Sequence, residues 1–129
     1  AFVSGMDAGK IYNTWPLMGN SYFPDDNKFI SLFKISAFSD PSLVQYLHRN
    51  LAYLIFIIFI LISYITYRNK IFYLFKAVSI LGLIILLQII LGILTVLSGA
   101  SILTASLHQF SSILLITSSL YFLYKNRFS

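Results

Sequence analysis

Cysteine and glutamate are absent from the chain, and charged residues make up only 10% of its 129 positions. Without cysteine, the chain cannot form a disulfide framework, a zinc–thiolate site or an iron–sulfur cluster from its own residues. The only carboxylates are Asp7, Asp25, Asp26 and Asp40, so the paired carboxylates of an acid–base enzyme cannot lie in the apolar part that follows. A His-Glu-x-x-His motif, a glycine-rich phosphate loop and a plausible Ser/His/Asp set are missing as well.

Long apolar runs fill most of the remainder, and 58% of the whole chain is hydrophobic. An average soluble domain carries about 25% charged residues, so this composition favours a membrane protein. Three runs, Leu43–Tyr67, Ile71–Leu97 and Ile102–Tyr124, each exceed the ~20 residues needed to cross the hydrocarbon core. The sequence therefore predicts an all-α membrane protein with three complete transmembrane helices.

Basic residues predict the orientation of these helices. Arg68 and Lys70 lie between the first two runs, and Lys125 and Arg127 follow the third. By the positive-inside rule, these two places face the cytoplasm or the mitochondrial matrix. All four aspartates precede the first run, on the opposite side. The net charge of +5 is thus a topology signal, and we expect no nucleic-acid partner.

The segment before the first run predicts two features. Residues 1–5 have the character of the end of an apolar helix, so we expect a fragment of a longer polypeptide that lacks most of this helix. Residues 6–42 form an outer loop in which Asn27–Phe38, with Asp26 as its N-cap, has the spacing of a short interfacial helix. The alternative is a loop whose aromatic side chains pack on the helices.

Two histidines are the leading candidates for chemistry. His48 and His108 lie near the N-terminal ends of the first and third runs, which cross in the same direction, so both belong to one side at similar depth. A titratable group in a membrane span is costly and suggests a function. The motif Leu-x-x-x-Leu-His occurs at both places, 60 residues apart. This pattern predicts the two axial ligands of a haem iron; the alternative is interhelical hydrogen bonding, worth about 1 kcal/mol or less.

Three further residues are candidates for binding the same cofactor. Arg49 could pair with a haem propionate through its planar fork of donors, or anchor the helix at the interface. Gln88 and Gly92 begin a small, partly polar stripe on the second run that could back a macrocycle. A stripe of this kind serves ordinary helix packing equally well, and taken alone it favours packing.

Several specific motifs occur in order along the chain: Asp7-Ala8-Gly9, Tyr12-Asn13-Thr14-Trp15-Pro16-Leu17-Met18, Gln45-x-x-His48-Arg49-x-x-Ala52-Tyr53, Gln88-Ile89-x-Leu91-Gly92-Ile93-x-Thr95 and Leu107-His108-Gln109. Together they resemble haem A synthase, the membrane hydroxylase of cytochrome oxidase assembly. The resemblance covers nearly all of the chain. The run from Asn13 to Met18 is its most specific part.

The resemblance implies an eight-span protein built as two pseudo-repeated four-helix halves, of which residues 1–129 are the C-terminal, haem-binding half. It implies a b-type haem (iron) ligated by His48 and His108. The other half would hold the substrate, haem O, with a functional glutamate, and the reaction converts a haem methyl group through an alcohol to the formyl of haem A. We expect this chain alone to be inactive, because the substrate half is not part of it.

Partners and location follow from the same resemblance. The implied partners are haem O, haem O synthase, a quinone or other electron donor, and membrane lipid, and self-association stays open. We expect the bacterial inner membrane rather than the mitochondrial one. Two other functions are considered: a membrane b-type cytochrome subunit for electron transfer, which gives no reason for the run from Asn13 to Met18, and a cofactor-free assembly protein, which would show no haem absorption.

Overall fold

The three apolar runs fold as three long α-helices. The computed structural model describes residues 2–128. In this range the helices are α1 (Phe2–Gly5), α2 (Pro41–Arg68), α3 (Phe72–Leu97) and α4 (Ile102–Phe128), with short 3₁₀ helices at Ala8–Lys10, Phe29–Phe33 and Ile35–Ser39. The all-helical prediction is confirmed, and each long helix begins within two residues of its predicted start.

Two of the long helices meet the requirements of a membrane span. Within the part of the chain that the structure describes, α2 and α3 are long and apolar enough to cross a bilayer. Helix α4 has sufficient length, at 27 residues, but it is less apolar because it carries many hydroxyl side chains. Several of these donate to carbonyls of the preceding turn, as Thr117 Oγ1 does to Ile113 O at 2.9 Å. The prediction of three spans is thus supported by length for three helices and by hydropathy for two.

The start of α2 is fixed by a conventional cap. Asp40 Oδ1 accepts from the backbone N–H groups of Ser42 and Leu43 at 3.0 and 3.1 Å, and Pro41 occupies the first helical turn. The segment before it forms two 3₁₀ helices, separated by extended backbone at Lys34, in place of one helix over 27–38. Asp26 is not an N-cap there; its carboxylate lies 2.7 Å from Ser42 Oγ.

The cap at Asp40 makes the stability of the outer side pH-dependent. Partial burial acts to raise the pKa of Asp40, but hydrogen bonds from Ser42, Leu43 and Asn27 outweigh it and hold the pKa below its ordinary value. This carboxylate therefore stabilises the fold at neutral pH and ceases to do so as the pH falls through its folded pKa. We expect Asp40→Ala to cost about 1 kcal/mol at neutral pH. Asp40→Asn should cost less stability, and it should weaken the loss of stability at acid pH, measured by unfolding followed by circular dichroism. An unchanged acid dependence would contradict the role assigned to the Asp40 carboxylate.

Packing is uneven among the long helices. Helices α3 and α4 form an antiparallel hairpin joined by residues 98–101 and pack closely, with Leu74, Val78 and Ile85 of α3 buried. Helix α2 meets α3 toward the inner side, where Tyr67 OH lies 3.0 Å from Ser79 Oγ. The outer loop covers the other end of the molecule, where its 3₁₀ helix Ala8–Lys10 contacts both α2 and α3.

Candidate functional site

The two histidines come together near the outer ends of α2 and α4. The imidazole ring centroids of His48 and His108 lie 6.2 Å apart, and the ring planes are nearly perpendicular at 84°. Helices α2 and α4 both run away from the outer side, because each is joined to α3 by a short turn. The structure therefore places both rings at similar depth, as the sequence pattern predicts.

The distance between the rings fits a shared iron. A metal–imidazole bond is about 2 Å long, and the ring centre lies roughly 1 Å beyond the nitrogen. Two imidazoles on opposite sides of one metal thus have centroids about 6 Å apart. His108 Nδ1 is buried and has no hydrogen-bond partner in the described residues. An unpaired buried nitrogen normally costs about 1–3 kcal/mol, and a neutral imidazole nitrogen is a common metal ligand.

The remaining donors indicate which kind of metal group fits. Residues 2–128 contain no cluster of three or more histidine, cysteine, aspartate or glutamate side chains, so a bare ion would have only two protein ligands here. A porphyrin brings four nitrogen ligands of its own and needs only axial ligands from the protein. The residues present therefore fit a haem better than a free metal ion.

His108 is positioned by the neighbouring helix. Gln88 Nε2 on α3 donates to the backbone carbonyl of His108 at 3.2 Å and lies 3.5 Å from His108 Nε2. The hydroxyl of Ser111 is within hydrogen-bond distance of Gln88 Oε1 and lies 2.9 Å from the same carbonyl. Gln88 and Ser111 thus hold α3 and α4 together at the depth of the imidazole. The prediction that Gln88 contacts a cofactor stays a prediction.

Gly92 provides the space in which the His108 ring lies. A Cβ at this position would be 3.1 Å from His108 Cε1 and 3.6 Å from Nδ1. Only glycine lets the ring lie this close to α3 without displacement. The small-residue stripe on α3 therefore serves helix packing, and the packed group is the candidate ligand. A direct contact between Gly92 and a macrocycle remains untested.

Substitution of Gly92 tests this arrangement. We expect Gly92→Val to push the His108 ring away from α3, to cost about 1–3 kcal/mol of stability by overpacking, and to lower haem occupancy. Gly82→Val is the matched control, because a Cβ at Gly82 also meets an aromatic ring closely, that of Phe59 at 2.6 Å, but contacts neither histidine. Haem content per chain, from absorption spectra, checks the result. Equal haem loss in both variants would contradict a specific role for Gly92.

Arg49 ties the outer loop to α2. Its side chain is buried, with 8% of its surface exposed. Nη1 donates to the carbonyls of Thr14 and Leu17 at 3.0 and 3.2 Å, and Nη2 donates to Tyr12 O at 3.1 Å. Gln45, one turn earlier, donates to the same Tyr12 carbonyl and accepts from the Tyr12 N–H. Gln45 and Arg49 together hold the loop that carries the motif from Asn13 to Met18. We call this pair of side chains the clamp.

The clamp leaves Arg49 with spare donors. Three of the five guanidinium N–H groups are used by loop carbonyls, and Arg49 Nε is buried without a partner in the described part of the chain. The propionate role predicted for Arg49 therefore stays a prediction, carried by the two remaining N–H groups. The structure shows a third function, loop attachment, that neither the propionate nor the anchor interpretation included.

Hydrogen bonds within the outer segment link it to the start of α2. Tyr12 OH donates to Asp26 Oδ1 at 3.0 Å, and the Ser42 hydroxyl lies 2.7 Å from the other oxygen of the same carboxylate. Burial, followed by the bond to the Asp26 carboxylate, raises the pKa of Tyr12. Gly9 packs against the α3–α4 turn, where its Cβ would lie 3.3 Å from Ala100 Cβ. The loop thus contacts both α2 and the turn of the α3–α4 hairpin.

An apolar groove reaches one side of His48. Its volume is about 190 Å³, and its lining includes Val3, Phe38, Leu47 and Leu51. The groove gives His48 a largely apolar environment that is open to the surface of the described chain. At this volume the groove is smaller than the ~300–1,000 Å³ of a typical small-molecule site, so it supplies an apolar wall beside His48 and not a complete ligand pocket.

Sequence reasoning missed two contributors. Ser111 follows His108 by three residues and so lies on a neighbouring position of the helix surface, a spacing that could have indicated it. Gln45 precedes Arg49 by four residues and shares its face. The Tyr12 carbonyl to which Gln45 donates could not be found from sequence, because a backbone acceptor leaves no residue-type signal.

Comparison with known proteins identifies close relatives. The family model described as COX15-CtaA, cytochrome oxidase assembly protein, matches residues 1–120. The chain is 45% identical over 126 residues to the heme A synthase of Pelagibacter ubique. It is 41% identical over 123 residues to that of Wolbachia pipientis, and 35% identical over 131 to that of Rickettsia prowazekii.

The coverage of these matches is asymmetric. They include 95–98% of this chain but only 33–38% of the length of the three relatives. The chain therefore corresponds to about a third of each relative. No solved structure matches the chain.

Proposed function

Because the chain belongs to the COX15-CtaA family of cytochrome oxidase assembly proteins, we propose that it is the haem-binding half of a haem A synthase. In this proposal His48 and His108 would hold the iron of a b-type haem. The observation that carries it is the 6.2 Å separation of the two imidazole centroids, which matches two ligands on one iron. The buried, unpartnered His108 Nδ1 supports it independently.

Each neighbouring residue has a defined task in this half. Gln88 and Ser111 fix the turn of α4 that carries His108, and Gly92 lets the imidazole lie against α3. Gln45 and Arg49 hold the outer loop over the start of α2, next to His48. Packing of the His108 ring against α3 before binding lowers the conformational cost of ligating iron, because little motion of that side chain has to be frozen.

With His48 and His108 both bound to its iron, the haem would supply reversible one-electron transfer, and the two imidazoles would leave the iron no free site for a further ligand. We therefore place the oxidation of haem O elsewhere, in the two thirds of the relatives' length that this chain does not span. In the eight-span arrangement that we propose, this chain supplies three of the four helices of one half and the end of the fourth. The chain alone is then expected not to convert haem O to haem A.

The proposed setting is the bacterial inner membrane, with the loop and both histidines on the outer side. The apolar α2 and α3 and the bacterial source of the relatives support a membrane location. The proposed partners are haem O, haem O synthase and a quinone or other electron donor. Self-association is a further proposal, and membrane lipid surrounds the exposed faces of the helices.

A spectrum of the purified chain tests the proposal. The chain is produced in haem-replete cells, purified in mild detergent and compared before and after addition of protohaem. We expect a low-spin reduced-minus-oxidised spectrum and about one protohaem per chain by the pyridine haemochrome assay. A helical chain that neither retains nor takes up haem would overturn the proposal and favour a cofactor-free assembly protein.

A further inference from the structure

A second groove lies on the inner half of the molecule, remote from the histidines. It runs between α3 and α4 and has a volume of about 440 Å³, within the ~300–1,000 Å³ range of ligand sites. Its wall is apolar along Ile80, Ile84 and Leu114, and Lys76 and Tyr121 lie at its inner end. An apolar trough with a cation at one end matches an amphiphile with an anionic head.

The positions of these residues agree with the depth of a lipid. Lys76 is four residues inside the inner end of α3, or roughly 6 Å at the rise of an α-helix. Ile80 and Ile84 follow at four-residue intervals, so they continue the same helix face toward the middle of the bilayer. On α4, Lys125 follows Tyr121 by one turn, toward the inner surface. The polar end of the groove therefore lies at headgroup depth and the apolar end among acyl chains.

The inner side of the molecule carries basic side chains and no acidic ones. Five basic side chains belong to this side, namely Arg68, Lys70, Lys76, Lys125 and Arg127, whereas positions 41–129 contain no aspartate or glutamate. The ion pair in the described residues, Lys10 with Asp7, is on the outer side. Lys76 thus lines the groove, and the inner side of the molecule has no acidic side chain that could neutralise its charge.

We propose that this groove binds an anionic phospholipid of the inner leaflet. Lys76 and the Tyr121 hydroxyl hold its phosphate, and Ile80, Ile84 and Leu114 hold an acyl chain. Basic pockets between transmembrane helices on the cytoplasmic side are typical sites for anionic headgroups. The bound lipid would fill the open seam of the α3–α4 hairpin and so support the helix that carries His108.

Native mass spectrometry of the delipidated full chain in detergent tests the proposal. Phosphatidylglycerol and phosphatidylcholine are titrated separately against the chain and against Lys76→Gln and Lys70→Gln. The second variant removes an equal charge from the same side but outside the groove. Phosphatidylglycerol should bind more tightly than phosphatidylcholine, and Lys76→Gln should weaken it about fivefold, as expected for one lysine near a membrane surface. Lys70→Gln should leave its affinity unchanged.

A second variant tests the apolar part of the groove. Ile84→Trp fills the trough and leaves Lys76 in place, so it should reduce phosphatidylglycerol binding while circular dichroism shows an intact helix content. Equal affinity for the two lipids would overturn the proposal. The proposal would also be overturned if Lys76→Gln and Lys70→Gln changed phosphatidylglycerol affinity equally, or if Ile84→Trp left that affinity unchanged. A second copy of the chain in the groove, detected as a mass-resolved dimer, would overturn it as well.

Discussion

Replacing either His48 or His108 by alanine is expected to abolish the low-spin haem spectrum of the chain. One imidazole cannot hold the iron in a six-coordinate bis-histidine state, so each single variant should lose the signal completely rather than by half. The visible reduced-minus-oxidised spectrum and the haem-to-protein ratio measure this effect. Helix content by circular dichroism should stay close to that of the parent chain.

Gln109→Ala provides the control for this experiment. Gln109 is the exposed neighbour of His108 on α4, and its loss changes no contact with the rings. It should retain the full haem spectrum. If both histidine variants kept a normal spectrum, the pair would be an interhelical contact and the proposed cofactor would have other ligands.

Replacing Arg49 by leucine is expected to release the outer loop. Three loop carbonyls would lose a charged donor, and each such hydrogen bond is worth about 1.5–3 kcal/mol. We expect a loss of roughly 3 kcal/mol or more in stability, with faster hydrogen exchange and proteolysis confined at first to residues 12–17. Arg49→Lys should recover little, because an ammonium group cannot span three carbonyls as the planar guanidinium does.

Two readouts separate loop attachment from propionate binding. If Arg49 served only a propionate, its loss would change haem affinity and leave the exchange protection of the loop intact. If Arg49 serves only the loop, the hydrogen-exchange protection of the loop falls first, and haem content falls afterwards as a consequence. Tyr22→Phe is the control, because the Tyr22 hydroxyl also links the segment to α2 through Asn50 but is neutral and exposed, so a loss of about 1 kcal/mol or less is expected.

The helices and the histidine pair could be predicted from sequence because both follow simple periodic rules. Twenty or more apolar residues can only satisfy their backbone in a membrane as a helix, and two histidines at equal distances inside parallel helices must lie at similar depth. The outer segment could not be predicted in the same way. The spacing of Phe29 and Phe33 suits an α-helix, yet the backbone is extended at Lys34 and the segment forms two 3₁₀ helices.

The role of Arg49 shows a second limit. Its position beside His48 suggested a cofactor contact, whereas the structure has it bound to carbonyls more than thirty residues earlier. Long-range contacts with backbone acceptors depend on how the loop folds back, and this is not encoded in local residue spacing. Gly92 was found by its spacing, but its contact with the His108 ring became evident only from the packed helices.

The hydroxyl-rich composition of α4 has a consequence for how the protein is made. A helix that carries serine and threonine through most of its length partitions weakly into lipid on its own, whereas α3 is strongly apolar and packs closely against it. During synthesis, α4 should therefore leave the translocation channel together with α3, as a single inserted hairpin. The short turn at residues 98–101 would then keep α4 beside the helix that brings it into the membrane.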